Sequence, residues 1–428
     1  MKALFVSLGC DKNTVDSEKI FKRFLTKYNC DVAVSSDDAD IVIINTCSFI
    51  HDAKKESLDY IKYYVDLKKK GLIKKILVLG CLISENNITH EYDELLNEVD
   101  VSLNLDKYLA DLDKITNRIS DVLSFSSSTK ICDGCDKYCS YCIIPYLKGH
   151  FKSSEPSCVL QEVKQLAKSG TKELSIVGQD ILHYGFDFKN KNTIGTEKPI
   201  VPLINDISKV EGIEWIRLLY CYPEEIDDSI INLIKTNKKV LPYIDMPIQH
   251  ASDKILKLMN RKTNKESIKN IVYKLRDQIP NICIRTTLIV GFPGETEADF
   301  NELLDFVKEM KFDKLGVFTY SREKLSKSYN FHGQVDESVK EKRKKTILDV
   351  QKEITIKKNK EKIGYVYNAI VEGRDTGKKD TYIVRPYFNA RDIDDKVYVK
   401  SKDLLISGSF VNVEIKKVKA YDLIGELV

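Results

Sequence analysis

A chain of 428 residues exceeds what one ordinary core accommodates, so two or three domains are expected. Hydrophobic residues at 43% and charged residues at 31% exclude a disordered or fibrous chain, and the longest apolar runs fall short of the ~20 residues of a membrane span. A net charge of +4 lacks the basic footprint of a dedicated nucleic-acid binder, and the opening MKALFVSLGC lacks the apolar core of a signal peptide, so a cytoplasmic protein with no membrane partner is expected.

Residues 1–120 read as a first domain. ALFVSL (3–8), DIVIINT (40–46) and KKILVLG (74–80) are strand-length apolar runs, and amphipathic segments at 15–28 and 49–71 lie between them. Alternation of this kind predicts an α/β, doubly wound parallel sheet. Residues 125–362 form a second unit. Strands are predicted at 173–180, 215–222, 243–250, 282–292 and 314–320, separated by helices, as in a full or partial (β/α) barrel, with a charged trailing helix at 336–362. The lysines of that helix are expected on a solvated face. Residues 363–428 lose the helical period and break into short strands, a small antiparallel β-barrel.

The chain has 11 cysteines, which in a reducing compartment point to metal binding or catalysis rather than disulfides. Cys135, Cys139 and Cys142 form C-x3-C-x2-C in the loop KICDGCDKYCSYCIIPYLKG (130–149). Three thiolates so close can grip three irons of a 4Fe–4S cluster and leave the fourth open to chelate S-adenosylmethionine (SAM). Zinc is a competing reading, because Cys132 precedes the motif, but three residues between CxxC pairs is cramped for a tetrahedral site. A ferredoxin run is the other, with a different spacing.

Cys10, Cys47 and Cys81 each fall just past a predicted parallel strand. Such C-terminal ends share one sheet edge, where ligands gather, so three cysteines distant in sequence can converge into a second cluster site. Cys30, Cys158, Cys221 and Cys283 lie singly in apolar or mixed surroundings and are expected to pack.

With both triplets in view, the chain resembles the methylthiotransferase branch of the radical SAM enzymes over nearly its whole length. The matching pieces are SLGCDKNTVDSE (7–18), NTCSFI (45–50), LGC (79–81), the cysteine loop, YIDMPIQHASDKILKLMNR (243–261) and RTTLIVGFPGETEADF (285–300). Within the branch, GQDILHYGFD (178–187), PIQHASD (247–253), YSRE (320–323) and YDLIGE (421–426) are similar to the RimO subfamily rather than to the tRNA-modifying MiaB relatives, which remain the alternative. Asp11, Leu325–Lys327 and Arg391 depart from the subfamily pattern.

The resemblance implies a flavodoxin-like cluster domain, a radical SAM barrel and a TRAM domain. It implies two 4Fe–4S clusters, two SAM molecules per turnover and methylthio insertion at the β-carbon of an aspartate. The substrate implied is a small-subunit ribosomal protein at the decoding centre, and the implied electron source is a reductant protein such as flavodoxin or ferredoxin. Tyr141 is expected against the adenine of SAM. Gly178, Gln179, Asp180, Gln249, Arg285 and the turn beginning at Gly291 are expected at the barrel mouth, on SAM or substrate. Asn13, Asp16 and Ser17 open the first helix beside Cys10, with Asp16 expected as its N-cap. No catalytic residue is assigned beyond the cluster ligands.

Overall fold

A computed structural model describes residues 1–103, 118–119, 125–188 and 197–428. The first apolar runs form β1 (Lys2–Ser7), β2 (Asp31–Val32), β3 (Ile41–Thr46), β4 (Lys75–Gly80) and β5 (Val101–Leu103). All pair in parallel in the order β2-β1-β3-β4-β5, the flavodoxin-like arrangement. β3 is buried at every residue, as its unbroken apolar run requires in a sheet covered on both faces. Helices α1 (Asp11–Tyr28), α2 (His51–Lys69) and α3 (Cys81–Thr89) follow β1, β3 and β4 directly. The domain boundary expected near 120 lies outside the described residues.

The second sheet contains β6 (Ser126–Lys130), then, beyond the short antiparallel pair β7 (Cys132–Asp133) and β8 (Lys152–Ser153), the strands β9 (Glu173–Val177), β10 (Trp215–Leu218), β11 (Val240–Asp245), β12 (Cys283–Val290) and β13 (Lys314–Thr319). Its order, β13-β12-β11-β10-β9-β6, follows the chain, every pairing is parallel, and the sheet stays open, so the barrel is partial. Ile176, Ile216, Ile244 and Ile284 on one face pack into the core beneath the surrounding helices. Trp215, Tyr243 and Cys283 on the other face pack against the C-terminal domain.

That domain is a closed barrel of β14 (Val366–Arg374), β15 (Thr381–Pro386), β16 (Val397–Lys400), β17 (Phe410–Lys419) and β18 (Asp422–Leu427). It departs from a wholly antiparallel design. The tight β17–β18 turn returns β18 alongside β16 in the same direction, so this one pairing is parallel. Glu173, buried at the start of β9, docks the barrel by accepting from Arg217 at 2.9 Å and from Arg385. Lys314–Asp395 at 2.5 Å and the Tyr243 hydroxyl on Asp394 at 3.0 Å add to the seam.

The trailing helix spans Glu337–Lys360. Two of its basic residues are not on a solvated face. Lys340 and Arg343 are buried, Lys340 donating to the Tyr320 carbonyl and Arg343 to Glu295, because the helix packs over the β12–β13 side of the core. Among the described residues no helix is long and apolar enough to cross a membrane.

Candidate active site

β1, β3 and β4 are neighbours in the first sheet, and Cys10, Cys47 and Cys81 follow their C-terminal ends. Two glycines permit the close approach. At Gly9, with φ +93°, a Cβ would meet the Cys47 Cβ at 2.7 Å and its Sγ at 2.9 Å. At Gly80, with φ +103°, it would meet the Thr46 carbonyl at 2.4 Å. Asn13 fastens the same edge, donating to the carbonyls of Leu8 at 3.0 Å and Thr46 at 3.1 Å, and Asn45 donates to Ser17 at 2.8 Å. Cys10 is exposed, whereas Cys47 and Cys81 are buried.

The central loop runs between β7 and β8. Cys135 and Cys139 are buried and Cys142 is half-buried. Backbone bonds shape the loop: Cys135 donates to Gly149, Cys142 to Cys139, and Ser140 to Met259. Cys132 points elsewhere, fully buried against Gly178 with its thiol on the Asp180 carbonyl at 3.6 Å.

Burial pushes the Cys81 thiol up to about 12 and the Cys135 thiol up to about 11, and raises Cys47 and Cys142 as well. Lys148 opposes the shift at Cys47 and Cys81. Thiols so placed ionise readily only against added positive charge, of the kind a bound metal supplies.

A short helix, Ile144–Lys148, begins just after Cys142 and joins the two sites: Ile143 and Leu147 pack against Cys81. Around it lies a buried charge network. Lys130 pairs with Asp16 at 2.5 Å and Asp133 at 2.7 Å, and Lys148 reaches Asp16 at 3.4 Å. Burial raises Asp133, but Lys130 and Lys148 override it and hold the carboxyl well below the ordinary carboxylate range. Asp16 is therefore not the N-cap of α1. The helix starts at Asp11, Cys10 occupies the cap, and Asp16 sits in the second turn facing the core. A second buried bridge joins Lys54 of α2 to Glu85 at 2.7 Å and to Glu323 at 3.0 Å.

At the mouth of the partial barrel, three buried acceptors lack partners: Gln179 Oε1, Asp180 Oδ1 and Gln249 Oε1. An ammonium and ribose hydroxyls would satisfy them, so this lining fits SAM. Gly178 admits Cys132, since a Cβ there would stand 2.3 Å from the thiol sulfur. Tyr141 is half-buried against Ile255, Met259, Phe292 and Tyr320. Gly291, φ +73°, donates to Glu295 at 2.7 Å and abuts the Lys340 side chain, which gives it a turn-forming task. Arg285 is level with Asp245, the last residue of β11. It pairs with Asp245 at 2.8 Å and approaches Asp394 of the C-terminal barrel at 4.0 Å.

The sequence reading missed Lys54, Lys130, Lys148 and Glu173. Charged residues on amphipathic helices or at strand ends carry no periodic signal that distinguishes a buried bridge from a solvated face.

Three stretches match known families: residues 2–103 an uncharacterized protein family, UPF0004; residues 129–307 the Radical SAM superfamily; and residues 363–428 the TRAM domain. The chain is 43% identical to the ribosomal protein uS12 methylthiotransferase RimO of Clostridium kluyveri, covering 99% of this chain and 98% of the relative. It is 41% identical to the RimO of Acetivibrio thermocellus, covering 100% and 98%. Among solved structures it is similar in fold to the radical SAM methyltransferase TsrM of Kitasatospora setae, with TM-score 0.54, 12% identity and 76% of each chain covered.

Proposed function

The chain belongs to the RimO family of ribosomal protein uS12 methylthiotransferases, and on that premise we propose that it attaches a methylthio group to the β-carbon of an aspartate of uS12. The observation that carries the reading is the helix Ile144–Lys148, which links the two cysteine triplets through the packing of Leu147 on Cys81.

In this reading Cys135, Cys139 and Cys142 hold one 4Fe–4S cluster, and Cys10, Cys47 and Cys81 hold a second. When bound, the clusters and SAM supply the electron, the radical and the methylthio group. The chain's own residues position these parts. Asp180, Gln179 and Gln249, whose buried oxygens lack partners, would accept the donors of SAM, and Tyr141, packed beside Phe292, would flank its adenine. Gly178 keeps the strand end open, and Gly291 shapes the adjoining turn. Arg285 anchors Asp245 at the end of β11. The Asp16–Lys130 and Lys54–Glu323 bridges hold the first domain over the second. We assign residues 1–120 to the second cluster, 125–362 to SAM chemistry and 363–428 to the TRAM barrel. A small reductant protein such as flavodoxin or ferredoxin delivers the electron, and the cytoplasm is the place of action.

Anaerobic reconstitution tests this, with roughly eight irons per chain expected from two 4Fe–4S sites. Alanine at Cys135, Cys139 and Cys142 together should halve the iron and abolish 5′-deoxyadenosine formation. Alanine at Cys10, Cys47 and Cys81 should spare that cleavage and abolish methylthiolation of uS12, read by mass spectrometry. Stoichiometric zinc without iron, or methylthioadenosine in tRNA with unmodified uS12, would replace the reading.

A further inference from the structure

Lys12 lies two residues after Cys10, in the first turn of α1, and reaches out of its own domain. Its ammonium rests 3.4 Å from the centroid of the Tyr220 ring. Tyr220 follows the C-terminal end of β10, at the mouth of the partial barrel. Its backbone is left-handed, φ +63°, a costly conformation for a residue with a side chain, and its N–H donates to Asp245 at 3.1 Å. Asp245 is in turn fixed by Arg285.

The other lysines that cross between the first domain and the core are neutralised. Lys54 meets Glu323, Lys130 meets Asp16, Lys148 meets Asp16, and Lys19 meets Glu162. Lys12 meets no carboxylate within ion-pair distance among the described residues; its partner is an aromatic face. A cation over a ring is held less tightly than one in a charge-assisted hydrogen bond to a carboxylate. An arriving carboxylate therefore outcompetes or joins the ring. Arg285 does not offer the same service, because Asp245 already occupies it at 2.8 Å.

We propose that Lys12 binds the side-chain carboxylate of the acidic residue to be modified, with the Tyr220 face holding its ammonium in place beforehand. The inference rests on the aspartate reading above and deepens it. The carbon to be modified adjoins that carboxylate, so a salt bridge to Lys12 places it between the Cys10 edge of one domain and the strand ends of the other. Selection of an acidic over an amide side chain then follows from charge, since an asparagine offers Lys12 only a neutral acceptor.

The test measures equilibrium binding of fluorescently labelled uS12 to the reconstituted full-length protein without reductant, beside uS12 whose target aspartate is replaced by asparagine. The wild type should bind the aspartate form about tenfold or more tightly, as loss of one charge-assisted bond implies. Lys12→Met should bring the ratio close to one, and Lys12→Arg should keep most of it, with iron content measured for each. A Lys12→Met protein that retains the full ratio overturns the proposal. So does a parallel loss of the ratio and of iron in Lys12→Met and Lys12→Arg, which would make Lys12 a structural residue. A wild type that neither modifies uS12 nor distinguishes the two forms defeats the underlying functional reading, and this inference with it.

Discussion

Asp16 of α1 and Lys130 of β6 form an ion pair at 2.5 Å with side chains only 2% and 7% exposed. The pair ties the first domain to the strand that leads into the cysteine loop. Removing one partner leaves the other charge buried, at a cost of about 3 kcal/mol. Asp16→Asn should therefore lower the urea midpoint of the full chain and hasten proteolytic cleavage between the domains. An unchanged midpoint would mean that water or Asp133, which also pairs with Lys130 at 2.7 Å, compensates.

Gly178 and Cys132 should be coupled. Alanine at 178 would drive its Cβ to 2.3 Å from the Cys132 sulfur, so Gly178→Ala should destabilise by about 1–3 kcal/mol through overpacking. Cys132→Ala removes the obstructing atom, so the double variant should recover much of the loss, a non-additivity read by denaturant titration. Cys132→Ala alone should keep its iron, because its thiol faces the Asp180 carbonyl and not the cysteine loop.

Glu173 gives the seam with the C-terminal barrel a pH dependence. Burial raises its carboxyl, but Arg385 and Arg217 override this and hold it well below the ordinary range. A carboxyl depressed on folding contributes fully above its unfolded value of about 4.3 and loses that contribution as pH falls through the folded value. Melting temperatures from pH 7 to 5 should be flat with respect to this group and then drop steeply below pH 4. Glu173→Gln should be less stable at pH 7 by about 3 kcal/mol and show a shallower acid slope.

Iron removal should expose an order of thiol reactivity. In the iron-free protein at pH 8, Cys10 is exposed, whereas Cys47 is buried and Cys81 is both buried and pushed up to about 12. Alkylation followed by peptide mass spectrometry should label Cys10 first and Cys81 last. Restoring iron should protect all three. Equal labelling rates would show that the sheet edge opens when the metal leaves.

Much of this architecture was legible in the sequence because it rests on short-range patterns. The apolar runs at 40–46 and 74–80 became β3 and β4, and their flanking cysteines fell on one edge because parallel strands share a direction. The LGC segments ending at Cys10 and Cys81 also contain the two glycines that admit the neighbouring strand, a role only the folded geometry reveals. Asp16 shows what was hidden. Its position near a helix start suggested a cap, and only the docking of a strand more than a hundred residues away turns it into a buried counter-ion for Lys130. Arg285 was placed on the correct sheet, but its pairing with Asp245 depends on strand register, which apolar patterning does not specify to the residue.

Glu173 and Arg385 are separated by 212 positions, yet their contact is part of how the inner face of the open sheet is covered. During synthesis, β9 emerges long before the arginine that will neutralise its glutamate. Until the last strands leave the ribosome, Trp215, Tyr243 and Cys283 have no covering surface. The inner face of the open sheet is thus covered only once residues 363–428 are made, so its closure should be slow, dependent on long-range contacts, and vulnerable to aggregation when translation stops early.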